Sequence, residues 1–129
     1  MSVTLQRILY VEDEPDIQAV ARLALEHLGG FTVEVCSSGQ EALQKILAFE
    51  PDLILLDVMM PGMDGPTTLT ALRETAEGKD KPVVFMTAKV QPQEVAQYMK
   101  LGALDVIPKP FDPMTLADKV RAIWDRRND

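Results

Sequence analysis

With 129 residues, 47% of them apolar and 26% charged, the chain has the composition of a single globular domain and not of a disordered or fibrous protein. Thirteen Lys+Arg against twenty Asp+Glu leave a net charge of −7, which argues against sequence-blind nucleic-acid binding and against docking on anionic membranes. One cysteine, Cys36, rules out an intrachain disulfide framework or a cysteine-based zinc site, and no apolar run reaches the roughly 18 residues of a bilayer span.

Short apolar runs alternate with longer amphipathic stretches. Ile8–Val11 predicts a first strand. Pro15–Leu28 predicts a helix with Ile17, Val20, Ala21, Ala24 and Leu28 on its apolar stripe, Pro15 at its first turn and Gly29 past its end. Thr32–Cys36 alternates with a period of two, placing Val33 and Val35 on one face. Ser38 and Glu41 have capping-box spacing, and Ala42, Leu43, Ile46 and Leu47 form the stripe of the helix that follows. Leu53–Leu56, between Asp52 and Asp57, is apolar without alternation, as in a strand buried on both faces of a parallel sheet. The turn-rich stretch Pro61–Pro66 leads to a helix marked by Leu69 and Leu72, and Val83–Met86 predicts a fourth strand. Pro92–Leu101 predicts a helix stopped by Gly102, Leu104–Ile107 a fifth strand, and Asp112-Pro113 the cap of a last helix running to about Arg126. On that helix Val120, Ile123 and Trp124 share the apolar face, so Trp124 is expected in the core. Five β–α units imply an α/β fold with a parallel sheet covered by helices on both faces, in one domain spanning 1–129 with its core at about 7–126.

Carboxylates gather at the strand ends: Glu12, Asp13 and Glu14 follow the first strand, and Asp57 follows the third. In a doubly wound, flavodoxin-like sheet of order 2-1-3-4-5, strands one and three flank the switch point where ligands bind, which sets Asp13 and Asp57 across one crevice. Facing carboxylates need a retained proton or a shared cation, and hard oxygen ligands suit Mg²⁺. Thr87 at the fourth strand end and Lys109 at the fifth add a hydroxyl and an ammonium to the same rim. A nucleophilic carboxylate, a metal, an ammonium and a hydroxyl are the parts that hold a phosphoryl group.

The pieces ILYVEDEP (8–15), DLILLDVMMPGMDG (52–65), VVFMTAK (83–89) and GALDVIPKPF (102–111), in this order and spacing, resemble the receiver domain of two-component response regulators. The resemblance implies that Asp57 accepts a phosphoryl group from a histidine kinase or phosphotransfer protein. It implies that Mg²⁺ is held by Asp13 and Asp57 directly, by Glu12 through water and by the main-chain carbonyl of Met59. Thr87 would bond one phosphoryl oxygen and Lys109 another, and Lys109–Pro110 would be a cis peptide. Three positions depart from the commonest pattern: Glu12-Asp13 replaces an Asp pair, Val106 stands where an aromatic ring is usual, and Pro108 lies in the fifth strand, where the missing N–H calls for a sheet edge. Met59 and Lys89 occupy the rim positions that tune access of water to the acyl phosphate in this family.

The expected function is therefore a phospho-accepting receiver, not an enzyme acting on an outside substrate; it would catalyse only its own phosphorylation and autodephosphorylation. The first seven residues are too short and mixed for a secretory signal, so a cytoplasmic location is expected. With no DNA-binding segment in the sequence, output is expected through protein–protein contact on the face of helix four, strand five and helix five, or through a phosphorylation-dependent dimer. A receiver cut from a larger regulator or hybrid kinase, and a phosphate sink or shuttle, remain open alternatives. An aspartate-nucleophile phosphatase usually has a second acid two residues after the nucleophile, where this chain has Met59. A nucleotide or flavin binder lacks its glycine motif after the first strand.

Overall fold

The computed structural model describes residues 4–127; Met1–Val3 and Asn128–Asp129, the ends of the expected 1–129 domain, lie outside the described residues. The elements run β1 (Arg7–Val11), α1 (Pro15–Leu23) continued by a π-helical turn (Ala24–Leu28), β2 (Thr32–Cys36), α2 (Gly39–Phe49) and β3 (Leu53–Asp57). They continue with α3 (Gly65–Arg73), β4 (Val83–Thr87), α4 (Pro92–Lys100), β5 (Asp105–Pro108) and α5 (Leu116–Arg126). All strand pairs are parallel and the order is β2-β1-β3-β4-β5, the expected flavodoxin-like arrangement.

Side-chain alternation along each strand feeds two cores. Ile8, Tyr10, Leu53 and Leu55 pack on one face with Ala21, Ala24 and Leu25 and with Leu116, Val120 and Trp124 of α5. Leu9, Val11, Ile54 and Leu56 pack on the other with Ala42 and Ile46 of α2, Leu69 and Leu72 of α3, and Tyr98 of α4. Leu53–Leu56 are all 0% exposed, the reason this strand tolerates no polar residue before its last position. Each such side chain contributes roughly 1.5–3 kcal/mol of transfer free energy. β5 is an edge strand, and Pro108 sits there exposed, opposite Thr87 of β4.

Three local expectations are corrected. Val20 and Leu28, expected on the buried stripe of the first helix, are 44% and 54% exposed, and Leu25 is buried in their stead. The π turn explains Leu28: a wider turn shifts the register by which a residue seven positions on would return to the same face. Gly29 ends that turn where a Cβ would lie 2.8 Å from Ala117 Cβ of α5, so only glycine lets the two helices approach this closely. On α2, Leu47 is exposed, and the capping box is half formed: Ser38 accepts from the Glu41 N–H, but the Glu41 carboxylate accepts from Ser37 N rather than from Ser38 N. The last helix starts at Leu116, not at the Asp-Pro pair. Asp112 instead closes a turn, its carboxylate accepting from Met114 N at 2.9 Å and its carbonyl from Thr115 N at 3.1 Å, the local bonding that favours Asp in turns.

Trp124 is in the core as expected, with the Arg127 guanidinium 3.6 Å from its ring centroid. Cys36 is buried, and burial first, then the nearby Glu41 carboxylate, pushes its thiol up to about 12, so it is an inert apolar filler near neutral pH. No described helix is long and apolar enough to cross a membrane.

Candidate functional site

The parallel sheet brings the carboxyl ends of β1, β3, β4 and β5 to one edge, and the expected residues meet there. Glu12 extends β1 by one step: its N–H donates to the Cys36 carbonyl at 2.9 Å, which turns its side chain to the α1/α5 face of the sheet. Asp57 ends β3. The following residue stays tied to the sheet, Val58 N donating to Met86 O at 3.1 Å, and Gly65 N returns to Val58 O at 2.9 Å, so the loop is pulled back under the site. At Gly65 a Cβ would lie 2.7 Å from the Asp57 carbonyl oxygen and 2.8 Å from Val58 Cα. Asp64 then caps α3, accepting from Thr67 N at 2.9 Å. Gly65→Ala is accordingly expected to cost about 1–3 kcal/mol by forcing backbone against backbone, and to shift the Asp57 amide resonance. Urea unfolding and NMR of the variant check both.

Glu12, Asp13 and Asp57 each offer an oxygen within 4.8 Å of the others. Glu12 is 1% and Asp57 3% exposed, whereas Asp13 is half-buried. Lys109 reaches both buried carboxylates, its Nζ 2.8 Å from Glu12 Oε1 and 3.2 Å from Asp57 Oδ1. Its main-chain N–H donates to the Thr87 carbonyl at 2.9 Å, and the Lys109–Pro110 peptide is cis, as the resemblance implied. Thr87 is buried, and its hydroxyl oxygen accepts from Lys89 N at 3.0 Å, which frees the hydroxyl proton to serve as a donor. Asp57, Thr87, Lys109, Met59, Glu14, Ile17, Ala88 and Pro110 line one open pocket of about 350 Å³. The Met59 side chain is 60% exposed at its rim and so leaves the pocket open.

Burial first, then the Glu12 carboxylate, raises Asp57 from 3.8 to about 6, against the pull of Lys109. Lys109 is held above its ordinary value: burial works against its charge, but the two carboxylates outweigh it. The ammonium therefore stays charged and offsets part of the repulsion between the acids. With Asp13 included, three carboxylates still face one cation. The donor set is all hard oxygen and fits Mg²⁺, which uses one or two carboxylates and keeps waters in its remaining positions.

The sequence did not foretell the direct Lys109–Glu12 ion pair, because 97 residues separate the two and no local spacing signals it. It also missed Gln18, whose side-chain amide donates to the Glu12 carbonyl and, at 3.1 Å, to Ser37 Oγ, pinning α1 to two strand ends. Val106 is half-buried against the α2/α3/α4-side core, which also holds Phe85 and Tyr98 of α4, edge to face at 5.4 Å.

An acidic crevice at the switch point of a 2-1-3-4-5 sheet defines a doubly wound α/β domain with an anionic rim. The chain belongs to the response regulator receiver domain family, which matches residues 8–121. Similar proteins include the DNA-binding response regulator MtrA of Mycolicibacterium smegmatis, 36% identical over 129 residues, all of this chain and 55% of that protein. The transcriptional regulatory protein CseB of Streptomyces coelicolor is 35% identical over 119 residues, 92% of this chain and 49% of that one. Among solved structures, the chemotaxis protein CheY4 of Vibrio cholerae matches with a TM-score of 0.85 at 29% identity, over 93% of this chain and 99% of that one. A two-component response regulator of Clostridium difficile matches at 0.82 and 27%, over 96% and 99%.

The chain spans about half the length of the curated relatives it matches. This corrects the expected partner set. A protein–protein output with no DNA-binding domain does not stand when the relatives are DNA-binding regulators about twice as long. The physical reason is simple: a net charge of −7 describes only the residues counted, and a basic module elsewhere on a longer polypeptide is untouched by it.

Proposed function

We propose that the chain is the phospho-accepting receiver of a two-component relay, with Asp57 as the acceptor. One observation carries the reading: a single ammonium, Lys109, bridges two carboxylates from different strands that are almost wholly buried, beside a free-facing hydroxyl and an acidic trio suited to a divalent cation. A structural ion pair needs no third acid and no open pocket; a phosphoryl site needs both.

In this reading an Asp57 carboxylate oxygen forms a bond to phosphorus while the bond from phosphorus to the donor's imidazole nitrogen, or to the leaving carboxylate of acetyl phosphate, breaks. The electron pair goes to the leaving group, and an imidazole then takes a proton from solvent. Lys109 and Thr87 supply opposite charge and a hydrogen bond to the phosphoryl oxygens. Glu12, Asp13 and Asp57, with the Met59 carbonyl, are the residues that would hold Mg²⁺, which when bound offsets the negative charge of the transferred group. The chain turns over no outside substrate here. Phosphorylation shifts an existing equilibrium of α4, β5 and α5, carried from Thr87 and Lys109 through the strands they terminate. A histidine kinase or phosphotransfer protein is the donor, in the cytoplasm.

Intact-protein mass spectrometry after incubation with acetyl phosphate checks the chemistry. One phosphoryl group is expected with Mg²⁺ and none with EDTA. Labelling that ignores EDTA, or a chain inert to acetyl phosphate and to kinase donors alike, would falsify the reading.

A further inference from the structure

Tyr10 is the largest side chain fully withdrawn from solvent, and its hydroxyl has no hydrogen-bond partner among the described residues. A buried hydroxyl left unpaired costs roughly 1–3 kcal/mol, so a phenylalanine would serve better if only the ring were needed. The ring's position explains the exception. Tyr10 and Glu12 are two residues apart on the same strand line and face the same side of the sheet. Leu55 is the β3 register partner of Tyr10, and Asp57 lies two residues beyond it on that same side. The phenol is a hydrogen-bond donor, and the Glu12 carboxylate stands near enough to act on it.

Glu12 has room for that donor. Its Oε1 accepts from Lys109 at 2.8 Å and its Oε2 from the Glu14 N–H at 3.2 Å, whereas a carboxylate offers about four acceptor sites. Glu12 is also the carboxylate that can least tolerate abandonment, at 1% exposure with one ammonium for support. A buried charge stripped of its partner is strongly destabilising.

We propose that Tyr10 Oη is the reserve donor for Glu12: when Lys109 turns from Glu12 to an anionic group on Asp57, the Tyr10 hydroxyl takes over the vacated carboxylate oxygen. The trigger rests on the phosphoryl reading above; the pairing does not. Tyr10 is thus a positioning residue. It holds Glu12 in place through the step that removes its counter-charge, and its unpaired state in the resting protein is what makes the exchange reversible.

A double-mutant cycle tests the pairing without metal or phosphoryl donor. In EDTA, Tyr10→Phe alone is expected to leave the melting temperature unchanged or raised, because it deletes an unsatisfied hydroxyl and keeps the ring. In the Lys109→Met background the same change is expected to lower it by about 4 °C, because there Tyr10 is the remaining donor to Glu12. The same effect in both backgrounds overturns the proposal and makes Tyr10 a plain core residue. Loading is tested separately by tyrosine absorption: with Mg²⁺ and beryllofluoride, the wild-type band is expected to move to longer wavelength as the phenol begins to donate. Tyr10→Phe, which retains Tyr98, is expected to show no such move. No shift on loading in a protein that shows the coupling supports the Tyr10–Glu12 pair and counts against Asp57 as the phosphoryl site. A shift of equal size in Tyr10→Phe overturns the proposal.

Discussion

Asp57→Asn is expected to abolish labelling by acetyl phosphate and, in the same protein, to raise the stability of the metal-free fold. The first effect follows because an amide oxygen is no nucleophile. No other described carboxylate is both in reach of Lys109 and open to the pocket, since Glu12 does not line it. The second follows from linkage. Burial, and then Glu12, lifts Asp57 from 3.8 to about 6 in the folded protein. A carboxyl raised in this way contributes stability that is fully present below its ordinary value and is lost as pH rises through about 6. Above pH 7 the wild type therefore carries the whole penalty of a buried, repelled charge, and the asparagine variant does not. The gain is expected to be on the order of 2 kcal/mol at pH 8 in EDTA, fading as pH falls from 6 to 4. Urea unfolding across that range is the measurement. A variant less stable than wild type at pH 8 would show that the Lys109–Asp57 contact outweighs the repulsion.

Lys109→Met is expected to act in the opposite direction and more strongly. It keeps the apolar stem and removes the only ammonium within ion-pair distance of Glu12 and Asp57 among the described residues. Breaking a buried pair by deleting one partner costs about 3–5 kcal/mol, within the usual stability reserve of about 5–15 kcal/mol, so the variant should fold. Lys109 is held above its ordinary value by the two acids, so its contribution is complete at pH 8 and would be lost only at much higher pH. The loss should shrink below about pH 6, where Asp57 takes up a proton and one of the stranded charges disappears. Mg²⁺ should still bind, because Glu12, Asp13 and Asp57 all remain. Unfolding at pH 8 and pH 5, each with and without Mg²⁺, separates these effects; a loss independent of pH would mean that packing of the lysine stem, not its charge, is what matters.

Much of the site could be read from residues alone because the sheet is regular. Once Leu53–Leu56 is taken as a strand buried on both faces, its next residue must emerge at the carboxyl edge. The same reasoning places Glu12, Thr87 and Lys109 at the edge, each at the end of an apolar run. Helix rotation was less legible. Leu28 fits a 3.6-residue stripe on paper, but a π turn over Ala24–Leu28 changes the phase, and Leu25 takes the core position beside the expected Ala24. The start of α5 was misplaced for a related reason: Asp112-Pro113 satisfies both a helix cap and a free-standing turn, and the sequence does not choose between them.

The amino-acid order by itself determined the strand-and-helix alternation, the sheet's two-sided burial and the chemical inventory at its edge, because periodicity and strand ends are local properties of the chain. Only the tertiary structure decided which acid is buried and which is half-buried, that Lys109 bridges Glu12 and Asp57, and that the Tyr10 hydroxyl has no hydrogen-bond partner among the described residues. Those facts depend on how side chains 52 and 97 residues apart settle into one low-dielectric crevice, and no local pattern encodes that packing.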